Sequence, residues 1–319
     1  MALPYIRSPH RKGRVIRAFH ISRDCGNGSA PPGYAMLRIM TTTRSASLTP
    51  EEIIARNNVT VLGQVDAPVL VFAHGFGCDQ GMYNRILPFF VGSHRIVLFD
   101  HVGSGGSSLV SYDPLEYGTL DRYTADLLEI CDALGLLNVT LVAHSVGAMM
   151  ALKAAVSRPE LFERLILLAP SPSYLDDAAA GYVGGLSTDD VHDLLGSLDD
   201  NHMAWASAMA PVVMGNADSP ELAGELEESF CRVDPRVMRT FARVTFLSDV
   251  RDILPHVTVP SLIVQCSNDA LAPLTVGDYL STHLERSELV VLAATGHVPQ
   301  VSAPRETADA IIRYLDSTA

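Results

Sequence analysis

From residue 51 onward, short apolar runs alternate with segments whose apolar positions recur every three or four residues. The runs at 59–62, 68–73, 95–100, 139–144, 165–169, 261–266 and 289–293 are rich in Val, Leu and Ile, as buried strands are. Between them, 80–91, 121–134, 146–157 and 307–315 read as helices; in the second, Leu127, Ile130 and Leu134 share one face. Such alternation predicts an α/β fold, with a mostly parallel central sheet covered by helices on both faces. One block departs from the pattern. Residues 172–254 show helical periodicity and no clear strand, with helices expected at 188–198, 201–214, 220–231 and 235–246. Asp189 and Asp190 stand where acids favour a helix start. A four-helix insertion between two sheet strands is expected to form a lid over a site. The chain thus divides into an extension (1–46), a first core part (47–171), a lid (172–254) and a second core part (255–319).

Charge separates the extension from the rest. The formal net charge is −13, yet residues 1–46 carry eight Arg and Lys against one acid, Asp24. The body is strongly acidic and repels phosphates and anionic membranes, so neither nucleic acid nor membrane is an expected partner. No apolar run approaches the ~20 residues of a membrane span. The extension lacks the apolar stretch of a secretory signal and is rich in chain breakers around 25–33, so it is expected to be disordered. It reads either as an organellar leader or as translated upstream sequence with Met36 or Met40 as the start. Lysine occurs only at Lys12 and Lys153, an Arg bias that suggests a GC-rich bacterial gene and favours the second reading. Five cysteines with no paired spacing point to free thiols in a reducing cytoplasm and to no zinc site.

The chemistry concentrates at strand ends. The run 139–144 leads into Ser145, followed by Val146, Gly147 and Ala148. This resembles G-x-S-x-G, in which the serine occupies a strained strand-to-helix turn, with Ala143 replacing the first glycine. His144 is read as packing. The loop His74-Gly75-Phe76-Gly77 follows an earlier strand and supplies one expected oxyanion donor, the Phe76 N–H; Val146 supplies the other. His74 is read as a structural hydrogen-bonding residue. Asp269 follows the penultimate strand and His297 the last. An acid that orients an imidazole, and an imidazole that deprotonates a serine, are what acyl transfer requires. Asp249 and Asp252 are weaker candidates for the acid. The order Ser145, Asp269, His297 is that of the α/β-hydrolase fold. The glycine-rich 99–107 lacks a phosphate-loop pattern and is read as a structural turn.

From about residue 53 to the C-terminus the chain resembles the RsbQ-type α/β-hydrolases, bacterial stress-response regulators, and more distantly the plant strigolactone and karrikin receptors. The resemblance rests on His74-Gly75-Phe76-Gly77-Cys78-Asp79-Gln80, Leu98–Gly105, His144–Ala148, Pro170–Leu175, Phe246–Asp249 and Gly296-His297. It implies a Ser145-Asp269-His297 triad, a four-helix lid over an apolar pocket and slow hydrolysis of a small hydrophobic ester or lactone without cofactor or metal. It also implies a possible PAS-domain phosphatase partner. Pocket residues expected on both grounds are Phe76, Trp205, Met209 and Phe246; Trp205 and Met209, four apart, share a helix face. The alternative is a ligand-sensing protein with little turnover that activates such a phosphatase. A carbon–carbon bond hydrolase ranks last, because few cationic residues are available for a diketone acid. Dehalogenation on this fold needs a carboxylate where Ser145 stands.

Overall fold

The structure is a computed structural model that describes residues 48–317. The extension 1–46, expected to be disordered, lies outside the described residues. The chain order is α1 (Pro50–Arg56), β1 (Thr60–Leu62), β2 (Val69–Ala73), β3 (Arg95–Leu98), α2 (Leu120–Ala133), β4 (Val139–His144), α3 (Val146–Ser157) and β5 (Phe162–Leu168). Then come α4 (Thr188–Asp200), α5 (His202–Met214), α6 (Pro220–Arg232) and α7 (Pro235–Leu247). The chain closes with β6 (Ser261–Asn268), α8 (Leu274–His283), β7 (Ser287–Thr295), α9 (Pro299–Ser302) and α10 (Pro304–Ser317).

The strands form one sheet in the order β1-β3-β2-β4-β5-β6-β7. Only β1 runs antiparallel to its neighbour. Both faces carry apolar layers, which is why the strands read as continuous hydrophobic runs. Every residue of β4 is buried, and β4 lies at the centre of the sheet. The helices α4 to α7 fall between β5 and β6, where the helical periodicity placed them. Their start signals work as the chemistry requires. Ser187 and Asp190 form a reciprocal capping box on α4, and the Asn201 side chain caps α5. No described helix is long and apolar enough to cross a membrane.

Residues 80–91 do not form the expected helix. They make two 3₁₀ turns, Gln80–Tyr83 and Leu87–Phe89. The Asp79 carboxylate accepts from the Gly81 N–H at 2.8 Å, which sets a tight first turn, and Pro88 has no N–H for helix continuation. The glycine-rich 99–107 is a turn organised around the buried Asp100. Its carboxylate accepts from Asn58 Nδ2, Gln80 N and Gly106 N at 2.7–2.8 Å. A carboxylate filling the loop leaves no room there for a phosphate.

Candidate active site

β4 delivers Ser145 to the centre of the C-terminal edge of the sheet. Its backbone is strained, with φ 56° and ψ −124°, a region few residues with a side chain adopt. The turn needs small neighbours. A Cβ on Gly147 would lie 2.8 Å from the carbonyl oxygens of both Ala73 and His74, so only glycine lets α3 approach β2 this closely.

Three loops converge on the serine. Ser145 Oγ lies 2.8 Å from His297 Nε2, and His297 Nδ1 lies 2.8 Å from Asp269 Oδ2. With the neutral imidazole protonated at Nδ1, the ring donates to Asp269 and accepts from the serine hydroxyl. The second oxygen of Asp269 accepts from the N–H groups of Leu271 and Ala272 at 2.8 and 3.1 Å. Burial opposes ionisation of Asp269, but the adjacent imidazole and these donors outweigh it and hold the carboxyl below the usual range. Asp249 and Asp252 are absent from this cluster. Asp249 pairs with Arg251 at 2.6 Å.

The loop carrying His297 is bolted down on three sides. Gly296, at φ 94°, donates to Asn268 O at 2.7 Å, and the His297 N–H donates to Val213 O of α5 at 2.8 Å. On the third side His144 Nε2 donates to the His297 carbonyl at 2.7 Å. His144 therefore does more than pack: it ties the nucleophile strand to the His297 loop. Burial, with the neighbouring His297 adding to it, pushes the His144 imidazole down to about 3, so it stays neutral.

Phe76 and Val146, the expected oxyanion donors, lie on two different elements. Phe76 lies in the loop after β2, and Val146 opens α3, where first-turn N–H groups lack a helical acceptor. His74 supports that loop: its Nε2 accepts from the His101 N–H at 3.0 Å, and His101 Nε2 donates to the His74 carbonyl at 2.9 Å.

Ser145 opens into an apolar pocket of about 450 Å³, counting the space at its mouth. All four expected pocket residues, Phe76, Trp205, Met209 and Phe246, line it. Phe76 packs edge-on against Trp205, Phe241 and Phe246. Sequence reasoning missed Tyr174. Its hydroxyl is 2.9 Å from Ser145 Oγ and fully buried, and burial pushes it well above its ordinary range, so it remains a donor. No periodicity marks Tyr174, because it lies in an irregular segment after β5. Thr245, Val213, Leu226, Phe230 and Leu271 also line the pocket. Three lining groups, His144 Nδ1, Trp205 Nε1 and Thr245 Oγ1, are buried without a hydrogen-bond partner among the described residues.

A strained serine after the central strand, an imidazole after the last strand and a helical insertion before β6 define one class. The chain belongs to the alpha/beta hydrolase family, whose model matches residues 70–310. It is 37% identical over 269 residues to a strigolactone esterase of Arabidopsis thaliana, covering 84% of this chain and 99% of that protein. It is 33% identical to a karrikin insensitive 2 receptor of Petunia hybrida, covering 81% of this chain and 95% of the relative. Among solved structures, a hydrolase from Oleispira antarctica superposes with a TM-score of 0.82 at 36% identity, covering 85% of this chain and 98% of that one.

Proposed function

We propose that the protein is a serine hydrolase that cleaves a small hydrophobic ester or lactone through an acyl-enzyme. The observation that carries this reading is the unbroken relay from Asp269 through His297 to Ser145, facing an apolar pocket. Ser145 Oγ attacks the carbonyl carbon while His297 Nε2 takes its proton. The oxyanion is held by the N–H groups of Phe76 and Val146. Collapse breaks the carbon–oxygen bond, and His297 returns the proton to the departing alkoxide; in a lactone that oxygen stays tethered to the acyl group. Water, deprotonated by the same imidazole, releases the acid. Asp269 holds the tautomer and stabilises the imidazolium. The helices α4 to α7 act as the lid in this scheme, and Trp205 Nε1 and Thr245 Oγ1, without partners among the described residues, offer polar handles in a mainly apolar pocket. The setting is a reducing cytoplasm, in keeping with the free thiols of Cys78, Cys131, Cys231 and Cys266.

The test is turnover of p-nitrophenyl acetate by the wild type and by Ser145→Ala. A loss of at least about 10³-fold is expected, with an acyl adduct on the wild-type serine by mass spectrometry. Equal rates would remove the proposal.

A second reading is favoured by the receptor among the relatives. Here the triad traps a ligand with little turnover, and the lid surface reports its presence to an RsbQ-style partner, a PAS-domain phosphatase. Rapid multiple turnover without any change in phosphatase binding would rule against it.

A further inference from the structure

Behind the pocket at Ser145 lies a second cavity, larger at about 840 Å³ counted in the same way. Three side chains line both: Cys78, Leu226 and Val298. All three are buried, so they form a wall one side chain thick between two open spaces. The far side is faced by Met82, Met214 and Val301, flexible or apolar groups that suit a hydrocarbon chain. The rest of its lining is polar or charged: Asp79, Asn84, Glu225, Glu228, Ser229 and Arg232. Leu226 belongs to α6, and this helix is held to the rest of the wall by two ion pairs, Arg85 to Glu225 at 2.6 Å and Arg232 to Asp79 at 3.2 Å. Both pairs reach solvent and bind weakly.

We propose that Leu226 is a specificity-determining residue that ends the substrate pocket, and that the cavity behind it is a second compartment able to take the far end of an unbranched acyl chain. The inference rests on the ester-hydrolase reading for its substrate class. With the wall intact, chain length is limited by the pocket beside Ser145. With Leu226 shortened, the two spaces join, and added methylenes can lie against Met82, Met214 and Val301 in place of water. Each methylene buried in this way is worth about fourfold in affinity for the transition state.

The experiment measures kcat/KM for p-nitrophenyl acetate, butanoate and octanoate with the wild type, Leu226→Ala and the gentler Leu226→Val. The wild type should favour the short esters. Leu226→Ala should raise the octanoate-to-acetate ratio by about tenfold or more, with Leu226→Val in between. Adding Glu228→Trp, which fills the second cavity from an exposed helix position, should abolish the gain. Calorimetric binding of alkan-2-ones of rising length, which bind without hydrolysis, should follow the same order. An unchanged ratio and unchanged ketone binding in folded Leu226 variants would overturn the proposal. So would a gain that survives Glu228→Trp, since the extra room would then belong to the first pocket. Absence of acetate turnover in the wild type would instead count against the ester reading, leaving the ketone series to decide this one.

Discussion

At the residue scale, the candidate chemistry depends on where one proton sits. Asp269 accepts from His297 Nδ1, which leaves Nε2 free to receive the serine proton. Asp269→Asn would present an amide that can donate to Nδ1 and favour the opposite tautomer. Its kcat toward p-nitrophenyl acetate is expected to fall by about 10³–10⁴, with little change in thermal midpoint. Ser145, Asp269 and His297 were legible because each follows an apolar run, and strand ends at one edge of a parallel sheet must lie near one another. His144 and Tyr174 were not legible in their roles. A histidine beside the serine looks the same whether it packs or bonds to the His297 carbonyl, and only the meeting of β4 with a loop 153 residues away distinguishes these. Tyr174 reaches the serine from a stretch without secondary-structure signal, so its place depends wholly on tertiary folding.

At the element scale, two glycines near the serine leave no room for a side chain. A Cβ on Gly75 would come within 2.4 Å of His144 Nδ1, so Gly75→Ala must displace either the His144 ring or the loop after β2 that carries the expected oxyanion donor. Turnover should drop by about 10²-fold, and the melting temperature should fall as well, because the overlap is with a buried side chain. Gly296 is the harsher case. Its φ is 94°, and a Cβ there would lie 1.9 Å from the Met214 carbonyl at the end of α5. Gly296→Ala is expected to cost about 3 kcal/mol or more by urea denaturation. Strands and long amphipathic helices emerged from the sequence with ends shifted by a few residues. Three helices did not: α1, α8 and the four-residue α9. For α1 the signal was present: Thr49, Pro50 and Glu52 make a capping box with proline in the first turn, but the helix has only seven residues and little periodicity. For α8, a proline just before the helix and Gly277 within it mask a helix that packs closely on β6.

At the scale of the whole molecule, buried imidazoles set the acid limit of stability. His74, His101 and His144 are all lowered from 6.5, in each case chiefly by burial. The unfolded chain takes up protons on them below about pH 6.5 and the folded chain does not, so stability falls as pH falls. For His144 the window runs from 6.5 down to about 3. Its share of the loss between pH 7.5 and pH 5 is about 2 kcal/mol. Asp269, held low in the folded state, works in the same direction at still lower pH. Urea midpoints at the two pH values should therefore differ, and His144→Gln should flatten the difference; an equally steep dependence in that variant would exclude His144 as a source. The sheet and the helical insertion combine to give one further property. The chain has a single tryptophan, and Trp205 stands in the pocket wall against Phe76 and Phe230, its indole N–H without a partner among the described residues. Its emission therefore originates from one place, so quenching or a spectral shift reports arrival of a guest without any label.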